Sequence, residues 1–210
     1  MLSRDQFGLF TAAQARHRGF QTYELARAVE KNILVRVHHG VYAFVDADDL
    51  CLFEKTAAQW LALDPDGDIA ARRAAPTVIV SHESAASIQD LGTIASYGIV
   101  DLTSPKRINV RNPTVRTYRR PIGAQGRDWH LHQGLPVATA TRVISDLAER
   151  VVDGGDLGRL VWNCIDDGGI PEAQARDLLA PHAARWGLED GDGAALLNVL
   201  LSSCRQPNYV

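Results

Sequence analysis

Between Phe10 and Phe44 the hydrophobic period changes once, and that change limits what the segment can form. Up to Lys31 the apolar residues recur at helical spacing; beyond Asn32 they alternate, as on a strand. Thr11 and Gln14 fit a T-x-x-Q capping box, in which each residue's side chain accepts the other's backbone N–H. Ala12, Ala13 and Ala15 favour the helix, and Gly19 supplies a residue able to turn left-handed at its end. After Gly19, Phe20 and Gln21 a second helix is expected over 22–31, with Leu25, Ala28 and Val29 on its buried face. The opposite face then carries Tyr23, Arg27, Glu30 and Lys31. Ile33-Leu34-Val35-Arg36-Val37 and Val41-Tyr42-Ala43-Phe44 flank His38-His39-Gly40, the pattern of a β-hairpin with a glycine in its turn. Helix, tight turn, helix and hairpin is the order of a winged helix-turn-helix, whose second helix is of a size to enter a major groove.

The charge pattern sharpens that expectation. Over the full 210 residues the net charge is −3, which taken as uniform would argue against a polyanionic partner. It is segregated instead. Residues 1–45 hold six Lys or Arg against three acids, and residues 46–103 hold three against ten. Residues 104–127 hold seven (Lys106, Arg107, Arg111, Arg116, Arg119, Arg120 and Arg127) and no acid, while 128–210 hold six against twelve. Local patches rather than totals govern attraction to phosphate. Cys51, Cys164 and Cys204 are scattered without a C-x-x-C, which reads as reduced thiols in a cytoplasmic protein. No apolar run reaches 18 residues and Met1 to Gln6 has no secretory h-region, so neither a membrane span nor a leader is expected.

In chain order, Ser3 and Gln6 with Leu2 and Phe7 suggest a short first helix, the alternative being a frayed end. Leu50, Phe53, Ala57, Trp60 and Leu61 give an amphipathic helix to about Leu63. A loop follows through Asp68, and 70–75 is helical or disordered. Thr77 to Val80 reads as a strand, and Ser81 as the cap of a helix closed by Gly92. Ser81, His82 and Glu83 invite a hydrolase reading, but neighbours on one turn do not converge as a triad does. Strands are expected over 97–103, 107–111, 115–119 and 128–132, the middle two with one basic face separated by Asn112-Pro113. That face is either a solvated surface or a contact for phosphates or an acidic partner. His130 and His132 share a strand face at metal-binding spacing, without an accompanying carboxylate or cysteine cluster. From Thr139 the chain reads as helices, over 139–148, 157–166, 171–179 and 193–203.

The run F-T-A-A-Q-A from Phe10, the L-x-x-x-V-E-K-N-I-L-V-R-V from Leu25 and the H-G-V-Y ending at Tyr42 resemble AbiEi-type antitoxins. The S-x-x-S-A-A from Ser81 and the L-P-V-x-x-x-x-R-x-I-x-D-L-A from Leu135 resemble the second domain of the same family. The resemblance implies a DNA-binding antitoxin of a type IV toxin–antitoxin system. Such a protein would repress its own operon at inverted repeats in double-stranded DNA and counteract a nucleotidyltransferase-type toxin, with or without a stable complex.

The combined expectation is an α+β chain with a winged helix-turn-helix over 1–47 and a mixed α/β effector domain over 48–210 that ends in helices. DNA contacts are assigned to Thr22, Tyr23, Arg27, Lys31, Arg36, His38 and His39, and from the basic run to Arg107, Arg111, Arg116 and Arg119. No catalytic residue, metal or cofactor is assigned, and the chain is expected not to be an enzyme. Two alternatives stay open: a metal-dependent nuclease targeted by the winged helix, for which no D…E-x-K run is found, and a winged helix used for protein contact.

Overall fold

The structure is a computed structural model describing residues 6–46 and 53–205. Ser3 and Leu2, together with Leu50 and Cys51, lie outside the described residues, but Gln6 and Phe7, the other ends of the expected cap and staple, stand in a turn with Phe7 left-handed at φ 63°, not in a helix. Packing divides the chain into two compact units, Met1–Val78 with Gln133–Pro136, and Ile79–His132 with Val137–Val210.

The first unit runs β1 (Leu9–Thr11), α1 (Ala12–His17), α2 (Thr22–Glu30), β2 (Leu34–His38), β3 (Val41–Phe44), α3 (Glu54–Ala62) and α4 (Ile69–Ala74). Both sides of the expected Thr11–Gln14 capping box are made, and Gly19 turns with φ +91° just past α1. The hairpin of β2 and β3 forms as the alternation requires, and β3 lies between the other two strands of an antiparallel sheet. β1 was not expected. All three of its residues are buried, so it has no polar alternation to betray it.

The unit carrying the winged segment also runs past residue 47 to Val78, because α3 supplies a face that must be covered. Ala57, Ala58, Trp60 and Leu61 are buried on it. Trp60 donates its indole N–H to the Val78 carbonyl at 3.0 Å, takes the Phe7 ring edge-on, and carries the Arg72 guanidinium 3.8 Å above its own ring. Residues 70–75, left between helix and disorder by the sequence, fall largely within α4, capped by Asp68.

The rest of the chain runs β4 (Ile79–Val80), α5 (His82–Ile88), β5 (Val100–Ser104), β6 (Val115–Arg119), β7 (Trp129–His132), β8 (Leu135–Ala138), of which Val137 and Ala138 belong to the second unit, α6 (Ala140–Arg150), α7 (Gly154–Asp166), α8 (Glu172–Leu179), a 3₁₀ turn over Ala180–Trp186, and α9 (Gly193–Arg205). Its mixed sheet has the order β6-β5-β4-β8-β7, with β4 antiparallel to β5 and β5 parallel to β6. Leu102, Ile144, Leu147, Leu157, Leu160 and Leu196 are fully buried in its core. Gly92 has φ +71°, and a Cβ there would stand 2.9 Å from the Leu160 backbone, so this glycine lets α7 approach the end of α5.

A polar network runs through this apolar interior. Asp101 on β5 is fully buried and accepts a fork of two bonds from Arg116 at 2.7 and 3.1 Å. It also accepts from Ser84 and from the Tyr118 hydroxyl. Burial raises its pKa, against the pull of Arg116. His82, left-handed at φ 51°, stacks on the Tyr118 ring with centroids 3.5 Å apart. Burial first, then the nearby cations of Arg150, Arg120, Arg142 and Arg116, push its pKa down to about 3. Ser81 Oγ and the Asp146 carboxylate both stand at the same ring nitrogen of His82, Nδ1, at 2.9 and 3.9 Å. A triad needs its acid and nucleophile on different nitrogens of the base, so this cluster does not have that arrangement.

The linkage has a definite sign. His82 stays neutral in the folded chain, so an unfolded state with an ordinary histidine gains a proton that the native state refuses as pH falls below 6.5. Stability of this unit should therefore drop by about 2 kcal/mol between pH 7 and pH 5 from His82 alone. His130 and His182, also lowered by burial, add to the slope. Thermal unfolding of wild type and His82→Gln across that range checks this, the variant giving the shallower dependence.

Candidate nucleic-acid interface

Leu25 is the one fully buried position of α2, and it fixes which way the helix faces. It packs with Phe10, Ala15, Leu34 and Tyr42, and Ala12, Ala28 and Val29 close around them. The tight turn is held from within: Gly19 N–H donates to Arg16 O and Phe20 N–H to Ala15 O. At the start of α2 the Glu24 carboxylate accepts the Gln21 N–H at 2.7 Å, a box that polar Gln21 and Glu24 spell in the sequence but that the apolar pattern hid.

With Leu25 inward, the far side of α2 is in solvent. Thr22, Tyr23, Arg27 and Lys31 are all exposed, Tyr23 at 67%. No acid among the described residues pairs with Arg27 or Lys31, although Glu30 shares the face and moderates its charge. On the hairpin, Arg36 is exposed and its guanidinium stands 2.6 Å from His39 Nδ1, so that nitrogen accepts. His38 Nδ1 meets the His39 carbonyl at 3.2 Å. The strand register shifts between Arg36 and His38, so both wing-tip histidines and Arg36 are gathered by a bulge. The seven positions assigned to the winged segment thus lie on the outward helix face and the hairpin. Arg16 and Arg18, at the end of α1, are further exposed cations that the assignment left out.

The basic run is sorted differently from the expectation. Only β6 of its two strands forms; residues 105–114 belong to no helix or strand. Along β6 the alternation turns Arg116 and Tyr118 onto Asp101 and leaves Thr117 and Arg119 outward, so there is no single basic face. Arg116 also reaches Glu83 at 3.4 Å and is only 34% exposed. The cause is the buried carboxylate of Asp101, which requires a cation. A charged residue between Val100 and Leu102 in an apolar strand was the available signal. Arg120 forks onto Glu149 and Arg127 pairs with Asp128. Arg107, Arg111 and Arg119, with Lys106, remain exposed and without an acid partner among the described residues. His130 and His132 do share a face, 6.3 Å apart, but no group of three or more potential metal ligands occurs among the described residues.

Beside α2 lies a second surface. An apolar groove of about 430 Å³ is lined by Phe10, Phe20, Leu25, Ala28, Ile33 and Phe44 among others, with Arg18 and Glu24 at its polar margin. Phe20 and Ile33 are each more than half exposed on it, at 53% and 52%.

Residues 1–45 match the sequence model of the family described as transcriptional regulator, AbiEi antitoxin. The AbiEi resemblance read from the sequence is borne out over that segment. Among solved structures, the crystal structure of the RV2827C protein from Mycobacterium tuberculosis is similar at 18% identity and a TM-score of 0.53, over 94% of this chain and 78% of that one. At that identity the likeness concerns the fold, and it agrees with the mixed α+β architecture. Among curated proteins, no sequence matches. No helix among the described residues is long and apolar enough to cross a membrane.

The two kinds of arginine separate by experiment. Arg116→Ala should destabilise the second unit by about 2–4 kcal/mol, toward the lower end for a broken buried pair because part of the guanidinium is in water. Arg119→Ala should stay within about 0.5 kcal/mol of wild type. Chemical denaturation of both variants is the measurement.

Proposed function

We propose that this protein is a non-enzymatic, DNA-binding antitoxin of the type IV class that represses its own operon. In this reading α2 enters the major groove of an inverted repeat. Arg27 and Lys31 reach base edges or phosphates, Tyr23 contacts a thymine methyl or a phosphate, and Thr22 takes a phosphate at the start of the helix. Arg36 and the His38-His39 tip hold the backbone beside it. The second unit carries the antitoxic activity against a nucleotidyltransferase-type toxin in the cytoplasm.

One observation carries the DNA part. With Leu25 held in the apolar cluster, the opposite face of α2 is in solvent and its two cations are not engaged by any acid among the described residues. A helix kept only for packing has no need to leave them so. The family match over residues 1–45 supports the regulator reading independently.

A mobility-shift titration on the protein's own upstream DNA tests it. Arg27→Ala should weaken operator binding by about 1–3 kcal/mol, with relaxed discrimination at one base position. Wild-type affinity in both Arg27→Ala and Arg36→Ala would refute the groove assignment.

The apolar groove favours a second reading, in which the winged unit also binds protein. Concave apolar surface with exposed aromatic margins is how such contacts are anchored. Phe20→Ser with Ile33→Ser should then abolish a protein contact while leaving the shift of operator DNA unchanged. Pull-down against the co-expressed toxin, beside the same mobility shift, gives both readouts.

A further inference from the structure

We infer that the irregular crossover from β5 to β6, together with Arg119, is a second contact surface for double-stranded DNA, gripping phosphates without reading sequence. This rests on the DNA-binding reading above and adds a surface on the other unit of the chain.

Seven cations stand between Ser104 and Arg127 with no acid among them. Arg116, Arg120 and Arg127 are taken up by Asp101, Glu149 and Asp128. Lys106, Arg107, Arg111 and Arg119 are exposed, and no acid among the described residues meets them. Such like charges repel within a Debye length, about 8–10 Å at ordinary salt, and nothing in the network requires them to be there.

The backbone that carries them is unusual for its place. β5 and β6 are parallel, paired from Val100 with Val115 to Ser104 with Arg119. Parallel neighbours need a crossover, most often a helix with an apolar face against the sheet. Here residues 105–114 make that crossover without a helix. The segment is nevertheless anchored. Lys106 N–H donates to Ser104 Oγ, Thr114 N–H and hydroxyl donate to Asn112 Oδ1, and Ile108 and Val110 are half-buried. Between those anchors Lys106, Arg107 and Arg111 face water.

Two plainer explanations fall short. Cations along a strand guard a sheet edge against pairing, and β6 is an edge strand. That accounts for Arg119 alone, since the other three lie off the strand. A solvated loop needs charge for solubility, but mixed signs supply it without mutual repulsion. An acidic protein partner is disfavoured by what the segment lacks. None of the exposed large apolar side chains among the described residues falls between 105 and 119, whereas protein interfaces centre on such anchors. Three of the four cations are arginines, whose fork matches phosphate oxygens in pairs.

The test uses the full chain carrying Lys106→Gln, Arg107→Gln, Arg111→Gln and Arg119→Gln together. Affinity for a duplex of arbitrary sequence, about three helical turns long, and for the upstream duplex is measured by fluorescence anisotropy across salt concentrations, with thermal unfolding as the control for folding. Each lost phosphate contact lowers the slope of log affinity against log salt by about 0.9. A slope shallower by about 2–4 on both duplexes, with wild-type unfolding, supports the surface. An unchanged slope on both, while Arg27→Ala still weakens operator binding, overturns the crossover contact and leaves the α2 reading standing. Failure of the wild-type chain to bind either duplex overturns both. If the four-fold variant keeps its DNA slope but loses binding to polyglutamate, the partner is an acidic protein and the inference is wrong.

Discussion

Asp101 is a carboxylate without water, and the arrangement of the second unit follows from that. A buried charge is tolerable only with an opposite charge in good geometry and its other lone pairs satisfied. Arg116, Ser84 and Tyr118 together meet that demand. β6 must therefore present Arg116 and Tyr118 to β5, which the parallel register achieves by setting Arg116 opposite Asp101. Tyr118, once placed, offers its ring to His82, and burial with the surrounding guanidiniums then keeps that imidazole neutral. One buried acid thus decides which face of β6 turns inward, while Glu149 and Asp128 take up Arg120 and Arg127 and the remaining cations of the run stay available.

In the first unit the same logic is apolar rather than ionic. Leu25 enters a cluster built from β1, α1, β2 and β3, so the orientation of α2 is set by burial and not by its charged residues. The cations opposite it cost nothing to the packing. Arg36 and His39, gathered by the bulge in the hairpin, are close enough to act as one donor–acceptor group. The two units therefore arrive at exposed positive charge by different means. In one, a helix is turned outward by its own apolar stripe. In the other, a segment is left over after the buried pairs are made.

Much of the first unit was legible because its signals are local. A capping box needs residues three apart, a helix face needs three or four, and a hairpin needs alternation with a glycine turn. Those predicted α1, α2 and the hairpin within a residue or two. β1 escaped because three buried residues show no period. The helices after Thr139 were likewise found from caps and spacing, apart from the 3₁₀ turn over Ala180–Trp186.

The basic run marks where local signals stop. The sequence alone placed seven cations together without an acid, and alternation pointed to two strands, of which only β6 formed. Neither could say which face of that strand would be buried, since Arg116 and Arg119 look alike to a period of two. The choice was made by Asp101, fifteen residues away in sequence and directly opposite in the sheet. Sequence sets what can form over a few residues, where the interacting groups are neighbours by covalent geometry. Tertiary structure decides which charges meet, because the cost of burying one depends on everything that comes to surround it.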